Sequence, residues 1–399
     1  MKTAETLALF ERHVIGNYKR LPVVVVRGAG SEVWDAEGRR YLDFFPGWAV
    51  SGLGHCHPAV VAAIREQAGQ LIHVANNFYS EPQGLLAEQL ARRSFGGQCF
   101  FCNSGAEAME AAIKLARLAG AAAGRYKFVS MLNSFHGRTF AAVTATGQEK
   151  YHQGFAPLVP GFAYAPFNDL AAVERLVDRE TAGIILEPIQ GEGGINAAAP
   201  EFMAGLRALC DRTGALLILD EVQTGVGRTG EWFCYQHYRV TPDILTMAKA
   251  LGGGMAIGAM VAKPEVARFL VPGTHASTFG GNPLAAAAGV AVFATIEQRN
   301  LLEKARRTGA HLVRYLRGLA GKHPGLVREV RGKGLMVGME LARPGATLAE
   351  ACLKAGLLVN CTHESVMRFT PAMTIGRKLL DEGLAIFADC LAQFAAKQD

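Results

Sequence analysis

Between about residue 45 and residue 290 the chain alternates short apolar runs with helical patterns, and this alternation restricts the fold more than any other feature. The runs KFVSM (127–131), GIILEPI (183–189), LLILDE (216–221) and DILTMAK (243–249) are continuously apolar rather than alternating in polarity. A strand reads this way when helices cover both faces of its sheet, the usual situation of a parallel sheet in an α/β protein. Outside this stretch the pattern changes. VVVVRGAGSEVWDAEGRRYLDFF, residues 23–45, reads as strands with a turn at Glu37-Gly38. After residue 296, helical stretches mix with the strand-like VREVRGKGLMVGMEL and LLVNC. With 399 residues there is length for one large domain and a smaller one. The expected fold class is α/β. A large domain, 56–295, has a mainly parallel central sheet flanked by helices, and a small α+β domain is drawn from both chain ends, 1–55 and 296–399.

Bulk properties narrow the partners. No apolar run reaches the length of a membrane span, and the longest, PLAAAAGVAVFATI, is short and Ala-rich and reads as a packed helix. MKTAETLALFERHV sets Glu5, Glu11 and Arg12 among a few apolar residues, unlike a secretion signal, so a cytoplasmic location is expected. The net charge is +6, but Lys and Arg are scattered and reach at most a doublet such as Arg306-Arg307. Nucleic acid calls for a denser stripe, so neither nucleic acid nor membrane is an expected partner, whereas anionic small molecules are. The eight cysteines are expected to be reduced and buried. Cys99 and Cys102 form one CxxC with no second pair, and His55-Cys56-His57 lies in a turn bounded by Gly and Pro, so no metal is expected.

LLILDEVQTGVGRTG, residues 216–230, poses a choice between its glycines and its acids. Gly225, Gly227 and Gly230 have GxGxxG spacing, but a dinucleotide fingerprint requires the glycines immediately after the strand and a closely packed helix after them. Here five residues separate Leu219 from Gly225, and the bulky EWFCYQHY follows. The glycines are therefore expected to permit a tight, mobile loop. Asp220 closes an apolar strand at its carboxyl end, where open α/β sheets place their ligands. A carboxylate there loses hydration and needs a cation or several donors, and a helix cap or an internal ion pair satisfies that need too.

DILTMAKALGGGM repeats the form with a lysine: an apolar run ends at Lys249, and three glycines follow. An ordinary lysine, with a pKa of about 10.4, is almost wholly charged at neutral pH. Apolar surroundings disfavour that charge and make the amine nucleophilic. A nucleophilic lysine and a deep acid at adjacent strand ends suit pyridoxal phosphate: the amine condenses with the aldehyde, and the acid keeps the pyridine nitrogen protonated. A neighbouring opposite charge moves a pKa by about 1–3 pH units, enough for that purpose. CNSGAEAMEAAIKLAR offers a phosphate site where Ser104, Gly105 and Ala106 open a helix with exposed amides. The polar stripe Glu107, Glu110, Lys114 and Arg117 follows the helix dipole, with Glu110 and Lys114 spaced as an i,i+4 pair.

With these parts in hand, the sequence resembles the class III, fold-type I aminotransferases, and among them it is most similar to the acetylornithine aminotransferases. The likeness runs along nearly the whole chain: GHCHP (54–58), NSGAEA (103–108), SFHGRT (134–139), EPIQGEGG (187–194), LDEVQTGVGRTG (219–230), AKALGGG (248–254), STFGGNP (277–283), RGKGLMVG (331–338) and AGLLVNCT (355–362). The resemblance implies that Lys249 carries pyridoxal 5′-phosphate and shuttles a proton, and that Asp220 pairs with the pyridine nitrogen. It sets Phe135 and Val222 on the two ring faces, His136 beside them, Gln223 near the phenolic oxygen, and Ser104, Gly105 and Ala106 around the phosphate. Thr278 reaches that phosphate from a neighbouring subunit, making the working unit a homodimer with shared active sites. Arg138 takes the distal α-carboxylate of an ornithine-type donor, and Arg368 the α-carboxylate of glutamate or 2-oxoglutarate. Glu192 covers Arg368 while the donor is bound.

Two departures bear on the substrate. RFTPAM at 368–373 stands where relatives usually carry a second proline and a leucine, and Trp48 occupies a substrate-facing position where acetylornithine enzymes often have a smaller aliphatic residue. A bulky indole there either narrows the acyl pocket or stacks on its contents. The implied reaction moves the ω-amine of N-acetylornithine to 2-oxoglutarate, as in arginine biosynthesis. Its rivals are ornithine, succinylornithine, 4-aminobutyrate or a carrier-linked lysine precursor as donor, an aminomutase of the same fold, and a non-catalytic ligand-sensing relative.

Overall fold

The computed structural model describes residues 3–396. Its centre is a seven-stranded sheet in the spatial order Gln98–Cys102, Gly258–Ala262, Ile244–Met247, Leu216–Asp220, Thr181–Leu186, Lys127–Met131, Phe162–Ala165. From Ile244–Met247 to Phe162–Ala165 every neighbouring pair is parallel. Gly258–Ala262 alone runs the other way, antiparallel to both of its neighbours. The apolar runs are buried strands as expected: Ile184, Leu186, Leu217, Leu219, Leu245 and Met247 are fully enclosed. Each such side chain contributes roughly 1.5–3 kcal/mol by leaving water.

Helices close both faces. Pro283–Gln298, the Ala-rich run, begins at a proline and is capped by Asn282, whose side chain accepts from Ala285 N. Its small side chains let it sit inside the core, with Ala285, Ala286 and Ala288 buried beside Val292, Phe293 and Ile296. A second core joins the chain ends. Leu42 and Phe44 pack with Leu312, Leu341, Leu357, Phe369 and Phe387, and Leu357–Leu358 pairs in parallel with Arg40–Asp43. The four-stranded sheet Val327–Lys333, Met336–Leu341, Val366–Phe369, Asn360–Thr362 supplies one side of this core.

Three local expectations change. The glycine loop is tight but not mobile, because every residue from Gln223 to Gly230 is buried. A Cβ at Gly227 would meet Met373 Sδ at 2.9 Å, and one at Gly230 would meet Arg306 Cγ at 2.5 Å. The glycines thus admit side chains from later in the chain, Met373 of RFTPAM against Gly227 and Arg306 against Gly230. Glu110 does not pair with Lys114. Its Oε1 accepts the backbone N–H groups of Ala141 and Ala142, at 2.9 and 3.2 Å, and so caps the helix Phe140–Ala145, while Lys114 reaches His275. Two unsatisfied backbone donors outcompete an exposed ion pair worth a few tenths of a kcal/mol, about 0.2–0.5. Finally, all eight cysteines are free, but Cys56 is exposed and Cys99 and Cys361 are only partly buried. The turn around Cys56 is held by its histidines, with His55 on Asp43 and His57 on Arg299.

Candidate active site

The strand order brings the two chemical residues together. Leu216–Asp220 and Ile244–Met247 are parallel neighbours, with Asp220 opposite Thr246, so Asp220 and Lys249 leave the sheet at the same edge. Both line a cavity of about 410 Å³ whose wall also includes Ser104, Gly105, Phe135, His136, Arg138 and Val222. Lys249 has φ 45°, a left-handed conformation that costs a non-glycine residue roughly 1–2 kcal/mol. It opens a short turn, Lys249–Gly252, that is followed by Gly253 and Gly254, also at positive φ. Strain of this kind at a strand end swings the amine into the cavity. Burial lowers the lysine's pKa from its ordinary value, and Arg368 pushes the same way. The charges of Glu192, Asp220 and Glu187 oppose the shift without cancelling it.

Asp220 is held from two sides. Oδ1 accepts the N–H of Val222 at 3.0 Å, and Oδ2 lies 2.7 Å from His136 Nδ1. A carboxylate only accepts, so Nδ1 carries the imidazole proton in this contact. His136 Nε2 is buried and has no hydrogen-bond partner among the described residues. Above this floor Val222 fills the place of a missing side chain, since a Cβ on Gly105 would come within 2.8 Å of its Cγ2. The helix Gly105–Gly120 starts at the cavity wall. Ser104 caps it by accepting from Glu107 N, at 3.2 Å, and the amides of Gly105 and Ala106 have no acceptor among the described residues. Such amides favour an anion.

The two expected substrate arginines differ. Arg138 is exposed on the cavity wall, its guanidinium 4.1 Å from the ring centre of Tyr151, with no hydrogen-bond or ion-pair partner among the described residues. Arg368 is wholly buried. Its Nη1 donates to Glu192 Oε1 at 2.6 Å and to Gln223 Oε1 at 3.1 Å, and its Nε and Nη2 donate to Asn360 Oδ1. The guanidinium lies over the Phe45 ring at 4.8 Å. Burial pushes the Glu192 carboxyl up, but the charge and hydrogen bond of Arg368 outweigh it and hold the group below its usual range. Arg368 therefore stands one hydrogen bond behind the cavity wall, through Gln223. Trp48 does not line the cavity. It is exposed, at φ 56°, and packs edge-on at 5.5 Å against Phe45, the ring that also lies under Arg368. Thr278 is also exposed and lies outside the cavity of its own chain.

The chain matches the family Aminotransferase class-III over residues 15–391. It is 51% identical to an acetylornithine aminotransferase from Caldanaerobacter subterraneus subsp. tengcongensis, covering 96% of this chain and 98% of that protein. The chain is a class III aminotransferase. Among solved structures, the aminotransferase superposes on the ornithine aminotransferase of Toxoplasma gondii, in a structure described with partial occupancy of pyridoxal phosphate at the active site. The TM-score is 0.94 and the identity 34%, with 99% of this chain and 96% of that one covered. It also superposes on the acetylornithine aminotransferase of Elizabethkingia anophelis, with a TM-score of 0.88, 34% identity and coverage of 98% and 99%.

Sequence reasoning missed four residues of the aminotransferase site. Glu187 is buried, lines the cavity, and closes the run GIIL as Asp220 closes LLIL, so the signal that found Asp220 was present for it too. Glu221, which lies within the motif LDEVQTGVGRTG but was given no role there, is buried below the site, where it accepts from Cys234 N, Tyr235 N and Thr224 Oγ1. Asn360 and Thr362 hold Arg368 and the backbone of Glu192. No periodicity marks either of them, because the strand that carries them is only three residues long.

Proposed function

We propose that this aminotransferase carries the terminal amino group of N-acetylornithine, or a close ornithine derivative, to 2-oxoglutarate, leaving a semialdehyde and forming glutamate. Class III aminotransferases depend on pyridoxal 5′-phosphate. The residues present fit that group: an amine of lowered pKa, a fixed carboxylate on the adjacent strand, and free amides at a helix start. When bound, the cofactor supplies an aldehyde that takes up the amino group and a ring that accepts the electron pair left by a broken C–H bond.

In this reading Asp220 keeps its negative charge toward the ring nitrogen, held in place by Val222 N and His136. Val222 and Phe135 bound the ring faces, and Gln223 stands on the side of the phenolic oxygen. Ser104, Gly105 and Ala106 take the phosphate, joined by Thr278 from a second copy, which makes the working unit a homodimer. Lys249 Nζ, its pKa lowered by burial, would take the proton from the carbon bearing the substrate's amine and return it one position along. Arg138 grips the donor's carboxylate and so sets its far end at Lys249. For the second substrate, Glu192 swings away and Arg368 takes the α-carboxylate of 2-oxoglutarate. Trp48 bounds the acyl end of the donor from the rim.

The observation that carries the reading is the contrast of a guanidinium on the cavity wall with no ionic partner among the described residues and one paired with the carboxylate of Glu192. One site then serves a donor with a single distal carboxylate and an acceptor with two. The test is a donor panel with 2-oxoglutarate. N-acetylornithine is expected to give the highest kcat/KM. A higher value for ornithine or 4-aminobutyrate would overturn the acyl assignment, and no turnover with any of them would overturn the reaction.

A further inference from the structure

Glu187 is the buried acid that the transfer reaction leaves without a task. It follows the strand Thr181–Leu186 directly, and its two oxygens serve two separate loops. Oε2 accepts the N–H of Phe135 at 3.1 Å, and Oε1 accepts the N–H of Gly191 at 3.1 Å. Phe135 opens the segment that carries His136 and Arg138, and Gly191 immediately precedes Glu192. We infer that Glu187 is a positioning residue for substrate selection, a single carboxylate that fixes both the loop of Arg138 and the loop of Glu192. The inference rests on the roles proposed above for those two residues.

The neighbouring contacts show why a shared anchor matters. The Glu192 loop is held by its backbone on every side. Thr362 Oγ1 donates to Glu192 O at 2.9 Å, Arg331 reaches Gly194 O through Nε and Nη2 at 3.1 and 2.7 Å, and Glu187 holds Gly191 N. Side chains at Gly191 and Gly193 are excluded, since a Cβ would meet Gln223 Nε2 at 2.6 Å and Asn133 O at 2.4 Å. The backbone around Glu192 is thus tied at Gly191 N, Glu192 O and Gly194 O. Asn133 and Leu132, whose carbonyl accepts from Gln190 Nε2 at 2.8 Å, lie just before the Phe135 loop, so the two loops also touch directly. Among the described residues, Glu187 is the one side chain that bonds to an amide at the head of each. The charged and titratable groups that face it are His136, Asp220 and Lys249.

Glu187→Gln and Glu187→Leu separate this role from that of an ordinary buried acid. Glutamine keeps one acceptor oxygen and sets an N–H against the other amide, whereas leucine keeps none. Hydrogen–deuterium exchange of the cofactor-free protein reads the amides of Phe135 and Gly191 without catalysis. Losing the acceptor is expected to speed exchange by roughly tenfold or more, at one of the two amides in E187Q and at both in E187L. Amides of the strand Leu216–Asp220 are expected to stay as slow as in the parent. In the loaded enzyme KM is expected to rise for the ω-amino donor and for 2-oxoglutarate together, by about tenfold, with a smaller change in kcat. Unchanged exchange at both amides in E187L, or in E187Q if leucine prevents folding, would overturn the inference. So would faster exchange spread evenly over the sheet, or a KM change for one substrate alone. If no donor reacts with the parent enzyme, the reaction assignment falls, while the exchange result still decides the anchor.

Discussion

Arg138 and Arg368 carry the same guanidinium and stand in opposite physical settings. Arg138 is exposed, rests on aromatic faces and has no ionic partner among the described residues, so its charge is available at no cost. Arg368 is enclosed, and all of its contacts, to Glu192, Gln223, Asn360 and the Phe45 ring, are already made. A buried guanidinium without these partners is strongly destabilising, so the pocket that holds Arg368 is also part of what holds the second core to the first. In the function proposed above, one arginine would be a pure ligand for substrate and the other a structural element that a substrate borrows. Glu192 is what makes the borrowing possible, since a carboxylate arriving with 2-oxoglutarate replaces its charge.

The largest expected effect is at the borrowed arginine. Arg368→Met leaves Glu192 uncompensated in the interior and is expected to cost about 3–5 kcal/mol of stability, read by denaturant unfolding. Its kcat/KM for 2-oxoglutarate is expected to fall at least a hundredfold. If Arg368→Met unfolds like the parent, the distinction between the two arginines is lost. Arg138→Met is expected to lower kcat/KM for the ω-amino donor by roughly ten- to a hundredfold, through KM, with stability unchanged to within about 0.5 kcal/mol. A loss for 2-oxoglutarate of the same size would show that both arginines bind both substrates. Glu192→Gln keeps a hydrogen bond to Arg368 but removes the competing charge. KM for 2-oxoglutarate is expected to drop by a factor of about 2–10, and glutamate to gain on the ω-amino donor in direct competition.

The smallest effect is a pH slope. Burial is the main force pushing the Glu187 carboxyl up to about 7 from 4.5, and Asp220 adds to it. The folded protein therefore binds a proton here more readily than the unfolded chain does, so stability falls as pH rises from about 4.5 to 7. Glu221 slopes the same way, for the same cause. The cofactor-free E187Q variant is expected to unfold with a shallower slope across this window. An unaltered slope would mean that Glu187 is already ionised in the folded state.

Lys249 and Asp220 were legible because a polar residue closing a run of enclosed apolar positions has few structural reasons to be there. Periodicity reports burial, and burial was enough to find the sheet and both strand ends. It says nothing of direction, so Gly258–Ala262 gave no sign of running antiparallel to its neighbours. Contacts between distant segments were equally silent. The choice of Glu110 for two amides of another helix, and the insertion of Met373 against Gly227, depend on packing that no local pattern encodes. Glu187 is a different case. Its strand-end signal is as clear as that of Asp220, and it opens the motif EPIQGEGG, but neither pattern says which backbone amides its carboxylate meets.

Lys249, its amine pKa lowered by burial at a strand end beside the fixed acid of the next strand, is the residue on which the proposed chemistry turns. Borohydride reduction of the purified protein with pyridoxal phosphate, followed by peptide mapping, tests it directly. The predicted result is a single stable adduct on Lys249, absent from Lys249→Ala. An adduct on another lysine, or none, would contradict it.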